Sequence, residues 1–246
     1  MDYCEVTPPD GLFGLVKVGW TLSVPNDAPR WIEHHATPDG CMEIIHRRSG
    51  RSEWQGAQPE AFIAGALTKP ANLRFAAGSS FVALRIWPWT WKLISCQSPG
   101  DLSDRWGPLE VDAPDFHMPD TVEAAFAAMS AFRPSETMQA MAAALPSSRT
   151  PAELASAAGL SLRALQRWFE TNVGQPPRTC LRIVRFGDAF AGLPAAGIGL
   201  AGHAMDHGFA DQAHMSREFR SLAGAPPGSA KDRGHGPFIA PEIDRS

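Results

Sequence analysis

Gly159-Leu160-Ser161-Leu162-Arg163-Ala164-Leu165-Gln166-Arg167-Trp168-Phe169 decides the fold of the C-terminal part of this chain, because its skeleton is written twice. Gly208-Phe209-Ala210-Asp211-Gln212-Ala213-His214-Met215-Ser216-Arg217-Glu218-Phe219 repeats it. Arg167 corresponds to Arg217, Phe169 to Phe219, Gly174 to Gly224 and Pro176-Pro177 to Pro226-Pro227, all at an offset of 50 (217 − 167). Upstream, Ala155 with Ala204 and Gly159 with Gly208 are offset by 49 (208 − 159), so the second turn holds one extra residue. Two copies are too few for a solenoid but suit two copies of one small helical reading unit.

The local chemistry agrees. Thr150-Pro151-Ala152-Glu153 opens a helix: Thr150 caps, Pro151 fits the first helical position and Glu153 completes a capping box. Gly159 ends that helix, and small Ala155 lets the next helix approach across a tight turn, as a helix-turn-helix requires. Ser161 caps the second helix, with Leu162, Leu165, Trp168 and Phe169 as its apolar side. Arg163, Ala164, Gln166 and Arg167 form its polar side.

Working outward, the charge is unevenly shared. The 246 residues carry a net charge of −4, which divides into −6 over residues 1–146 (11 Lys+Arg, 17 Asp+Glu) and +2 over 147–246 (11 against 9). Lys231 is the single lysine of the second portion. Arginine makes planar bidentate contacts with phosphate and guanine, so this balance permits DNA binding without establishing it. Hydrophobic content of 44% and charged content of 20% describe a globular protein. The start, Met1 to Glu5, has no basic and apolar signal pattern, and no apolar run is long enough to cross a bilayer. Four scattered cysteines, without a CxxC pair, read as reduced thiols, and the expected compartment is cytoplasmic.

From Gly14 to Trp106 the pattern predicts short strands. Val16, Val18, Trp20 and Leu22 alternate with Lys17, Gly19 and Thr21. Thr37-Pro38-Asp39-Gly40 is a turn leading into Cys41–His46, and residues 61–67 and 81–87 are further apolar runs. Such a series predicts a small β-barrel or sandwich, cupin-like in outline. Seven of the eight tryptophans lie here, either filling the core or lining a ligand pocket. Glu43 and Arg85 interrupt apolar strands. They pair with each other, sit on the solvent face, or together with Trp20 and Trp87 orient a small polar effector. His34, His35, Glu43 and His46 have the chemistry of metal ligands but alternate in parity, so no metal site and no cofactor is expected.

After residue 107 the period becomes helical. Val122, Ala125, Phe126, Met129 and Phe132 form a stripe capped by Asp120 or Thr121, read as core or as a homodimer contact. Arg133-Pro134-Ser135 breaks that helix. The expected division is a β-rich sensor domain over 1–133, a DNA-binding domain over 134–233 and a tail over 234–246.

Residues 135–232 resemble the AraC/XylS-type DNA-binding domain. The carriers are Leu154-Ala155 through Phe169 with Gly174-x-Pro176-Pro177, then Arg182-Ile183-Val184-Arg185-Phe186, then Gly208 through Arg220 with Gly224-x-Pro226. The resemblance implies two helix-turn-helix units joined by a helix of about Pro177 to Leu193, reading successive major grooves ~34 Å apart. Carried over by position, Arg163, Gln166 and Arg167 of the first unit face DNA, as do Gln212, Ala213, His214, Ser216 and Arg217 of the second. Glycines 197, 199 and 202 and the weak helix signal at Pro227–Lys231 depart from the family pattern. The N-terminal part is similar, through Pro38–Cys41, Glu43, Gly65, Arg85 and Leu102–Gly107, to β-rich sensor domains found before such heads.

Together these features predict an α+β, two-domain transcription regulator that binds double-stranded promoter DNA under control of a small-molecule effector. RNA polymerase would be a partner if it activates. Alternatives are a ligand-independent regulator whose barrel dimerises, or a barrel enzyme fused to a DNA-binding head. No nucleophile elbow, Cys/His pair or P-loop supports an enzyme.

Overall fold

The computed structural model of the protein describes residues 1–112, 116–193 and 199–233. Its N-terminal part is built on a six-stranded antiparallel sheet in the order β1-β2-β8-β4-β6-β9. These are β1 (Asp2–Val6), β2 (Val16–Ser23), β8 (Ser80–Ile86), β4 (Met42–Ser49), β6 (Ala61–Ala64) and β9 (Trp106–Pro108). A second sheet orders β3 (Trp31–Ala36), β7 (Ala71–Ala76) and β5 (Ser52–Glu53). Neither sheet closes on itself, so of the expected barrel or sandwich the chain forms an open sandwich, with β1 and β9 as edges of the larger sheet.

The larger sheet is a middle layer. One face, through Trp20, Ile45, Phe62, Phe81 and Ala83, meets Ala36, Leu73 and Phe75 of the smaller sheet. The opposite face, through Ile44, Val82, Leu84 and Ile86, packs under helices. Burial on both sides explains why Phe81–Ile86 is a continuous buried run instead of an alternating one.

α1 (Pro88–Ile94) departs from the sequence pattern, which predicts only strands up to Trp106. Pro88 starts it, and Trp89, Thr90, Trp91 and Ile94 are all buried, leaving no polar stripe to reveal the helical period. It is pinned by Trp89 Nε1 donating to the Gly14 carbonyl at 2.6 Å and Thr90 Oγ1 to that of Leu15 at 2.8 Å. α2 (Val122–Met129) is capped by Thr121, and its stripe of Val122, Ala125, Phe126 and Met129 is buried over β2 and β8. That stripe is core, so the homodimer contact considered for it has no free surface there.

The helical part comprises α3 (Glu136–Ala144), α4 (Pro151–Ala157), α5 (Leu162–Asn172), α6 (Pro177–Ala191), α7 (Leu200–Asp206), α8 (Gln212–Ala223) and α9 (Pro227–Arg233). α9 forms despite its weak sequence signal. Gly197 and the tail from residue 234 lie outside the described residues, whereas Gly199 caps α7 in a left-handed conformation, φ +76°.

The two units rest on different cores. Leu154, Ala155, Leu165, Phe169 and Val173 belong to the same apolar cluster as Ile44, Leu84 and Trp89. The seam is tight: the rings of Trp89 and Trp168 lie 5.3 Å apart, and Gln175 is buried with its amide toward the Ala66 carbonyl. At Gly174, φ +74°, a Cβ would stand 2.2 Å from the Gly100 Cα, so backbone touches backbone and only glycine fits. The second unit instead packs on α6 through its own cluster, including Phe186, Phe190, Ala204, Met215 and Phe219.

Candidate nucleic-acid interface and effector cleft

Each helix-turn-helix is set by short-range bonds. Thr150 Oγ1 accepts the Glu153 N–H at 3.2 Å, and the Glu153 carboxylate accepts the Arg149 N–H at 2.7 Å. Those backbone bonds hold the Glu153 carboxyl below the usual range. Gly159 turns the chain at φ +67°, and Ser161 Oγ accepts the Ala164 N–H to start α5. In the second unit Gly208 turns at φ +71° and Asp211 Oδ1 accepts the His214 N–H at 2.6 Å to start α8. The extra residue is Ala210, and its N–H is taken by His214 Nδ1 at 3.2 Å.

Burial repeats with the sequence. Leu165 and Phe169 are buried, as are Met215 and Phe219 at the corresponding positions. Arg163, Gln166 and Arg167 are exposed on α5; Gln212, Ala213 and Arg217 are exposed on α8, with His214 and Ser216 half-buried. All eight expected DNA-facing residues therefore reach the surface of their helices. Leu162 does not join the apolar side as expected. It is 49% exposed, beside Gln166 on the wall of a groove of about 680 Å³ between α5 and the starts of α4 and α6. Its equivalent in the repeat is Gln212, and that alignment is the signal that Leu162 faces outward.

The four residues considered for an effector divide. Arg85 faces Glu43 directly across β8 and β4, and its Nε donates to Glu43 Oε1 at 2.8 Å. Trp20 Nε1 donates to the other carboxylate oxygen at 2.6 Å. Arg85 also reaches Glu5 at 3.0 Å and Asp39 at 3.2 Å, and is 6% exposed. Burial pushes the Glu43 carboxyl above its usual range against the pull of Arg85. Glu43 and Trp20 thus stand behind Arg85 and fix it. The sandwich interior beside Glu43 leaves only about 40 Å³, little more than one water's share of liquid volume.

A roomier space opens at the sandwich mouth. Arg85, Trp87, Lys17 and Asp39 line a cleft of about 390 Å³ whose other wall is α6, through Ile183, Gly187 and Asp188. Lys17 Nζ lies 5.5 Å above the Trp87 ring, which stacks on Trp89. The α6 wall is not legible in the sequence, because nothing local in residues 183–191 announces a partner near residue 85. Asp188 also accepts from His207 Nδ1 at 2.8 Å, tying this wall to α7. Burial raises the thiols of Cys41 and of Cys180, the latter to about 12, so both stay neutral. His34 is buried and His35 exposed, as their parity predicts. Among the described residues no three His, Cys, Asp or Glu side chains gather as a metal set.

Residues 154–233 match the family described as a helix-turn-helix domain. The chain carries an AraC-type helix-turn-helix domain. With that AraC-type domain it is a DNA-binding transcription regulator. Residues 4–106 match a domain of unknown function, DUF6597. No curated protein matches the chain. Among solved structures it is similar to ToxT from Vibrio cholerae O395, at 9% identity over 85% of this chain and 94% of that one, TM-score 0.44. Unsaturated fatty acid bound wild-type ToxT from V. cholerae strain SCE256 gives 10% identity over 90% and 96%, TM-score 0.45. Among the described residues no helix is long and apolar enough to cross a membrane.

Proposed function

We propose that the AraC-type domain reads an asymmetric site through α5 and α8, and that a small effector seated at the sandwich mouth adjusts the second unit. The observation that carries the DNA reading is the matched pattern of the two helices at an offset of 50, with Leu165/Met215 and Phe169/Phe219 buried and Arg163/Ala213 and Arg167/Arg217 exposed. Arg163 and Arg167 have the chemistry for guanine, Gln166 and Gln212 for adenine, and Leu162 and Ala213 for a thymine methyl. His214 Nδ1 accepts from Ala210, which leaves Nε2–H as a donor toward a base acceptor or phosphate. The faces differ in chemistry, so the two halves of the site differ in sequence.

Two features support the cleft as the effector seat: its volume falls within the usual ligand range, and it joins apolar walls to a few charged groups. Arg85 and Trp87 would touch the effector, while Glu43 and Trp20 position Arg85.

Arg163→Ala and Gln212→Ala are each expected to weaken binding to a selected duplex by ~1–3 kcal/mol and to relax preference at one base pair. Unchanged selection profiles for both would remove these residues from the interface. For the cleft, metabolites that raise the melting temperature of the full chain should lose that effect in Lys17→Ala, and retention of it would place the effector elsewhere.

A further inference from the structure

Two arginines outside the reading helices converge between the units. Arg149 stands immediately before Thr150, the cap of α4, and Arg185 lies within α6, which packs against α4. Both reach the turn of the second unit. A Cβ placed on Gly208 would be 3.7 Å from the Arg149 Cδ and 3.9 Å from the Arg185 Cδ. The Arg185 guanidinium lies 5.2 Å over the Phe209 ring, and its buried Nε has no hydrogen-bond acceptor among the described residues. Neither arginine is in an ion pair among the described residues, and the neighbouring Glu153 carboxylate is engaged with the Arg149 backbone N–H. Two like charges brought together, one with an unsatisfied N–H, call for an anion. Guanidinium groups are suited to phosphate oxygens, which they grip in two-pronged fashion.

We propose that Arg149 and Arg185 form a phosphate seat at Gly208 that holds the DNA backbone where it passes from the groove read by α5 to the groove read by α8. The inference rests on the DNA-binding reading above and adds to it an anchoring point that carries no sequence information. Gly208, at φ +71°, lets the chain turn directly beside both arginine stems.

The test uses the full chain and a random-sequence duplex about three helical turns long, titrated over a range of NaCl. Removing one phosphate contact lowers the slope of log K against log salt by about 0.9. Arg149→Ala and Arg185→Met should each show that drop, with affinity falling several-fold on random and selected duplexes alike. Arg185→Lys should restore the slope. Arg149 is exposed, so its variant tests the seat even if Arg185→Met disturbs the packing on Phe209. Slopes equal to wild type would overturn the seat, as would losses confined to a selected sequence. A wild-type melting temperature raised by inorganic phosphate at constant ionic strength, and not in these variants, would assign the seat to a free anion instead. Absence of any wild-type duplex binding would overturn the DNA reading together with it.

Discussion

Arg85 has three carboxylates within ion-pair reach and almost no contact with water, and that arrangement constrains every neighbour it has. A buried charge is stable only when its partners stay in place, and removing one partner of such a pair typically costs ~3–5 kcal/mol. Glu43→Ala is therefore expected to lower the stability of the sandwich by about that amount, read as a fall in the urea midpoint of tryptophan fluorescence. Glu43→Gln should cost less, because the amide oxygen still accepts from Trp20. Equal midpoints for wild type and Glu43→Ala would show that the pair contributes nothing. The oddity of Glu43 and Arg85 is visible in the sequence, since charges rarely interrupt apolar strands, and their pairing follows from strand register. Their depth is not visible, because it depends on the smaller sheet covering that face. Leu162 shows the converse error. Apolar character near a helix start points inward, yet the repeat sets this residue opposite Gln212.

Among the elements, α4, α5 and α8 are legible because caps and left-handed glycines act within four residues. α1 is not, since burial all round erases its period, and the cleft is not, since it joins residues about one hundred positions apart. α6 has two duties that no sequence pattern declares: its side is one wall of the cleft, and its C-terminal half is the platform of the second unit. Asp188 belongs to both, lining the cleft and accepting from His207. The pair is partly exposed and its stabilisation is small, ~0–1 kcal/mol. Asp188→Asn should accordingly leave the fold intact but speed amide exchange in α7 while α4 and α5 exchange as before. Uniform exchange across both units would disconnect Asp188 from the second one.

For the whole molecule, the decisive fact is that the first unit shares its apolar cluster with the sandwich and the second does not. The proposed division near Pro134 follows the chain, whereas the packing crosses it at Trp168, Gln175 and Gly174. A fragment starting at residue 135 is expected to keep the second unit protected while the first, stripped of Trp89 and Gly100, loosens and binds DNA more weakly. Hydrogen exchange resolved by segment checks this, and equal protection of both units would make Pro134 a true domain border. Gly174→Ala should produce the same loosening in the intact chain, because the new methyl would meet the Gly100 backbone.

The seam at Gly174 also gives the bound complex a polarity. A sandwich fastened to the first head, with the second head always ahead of it along α6, must lie toward one end of the recognised sequence. Because the two heads read different bases, inverting the site would turn the protein end for end on the duplex. The sandwich would then face away from whatever stood beside it before, while each head still read the same bases. Orientation of the site, as much as its sequence, would decide what this regulator can touch.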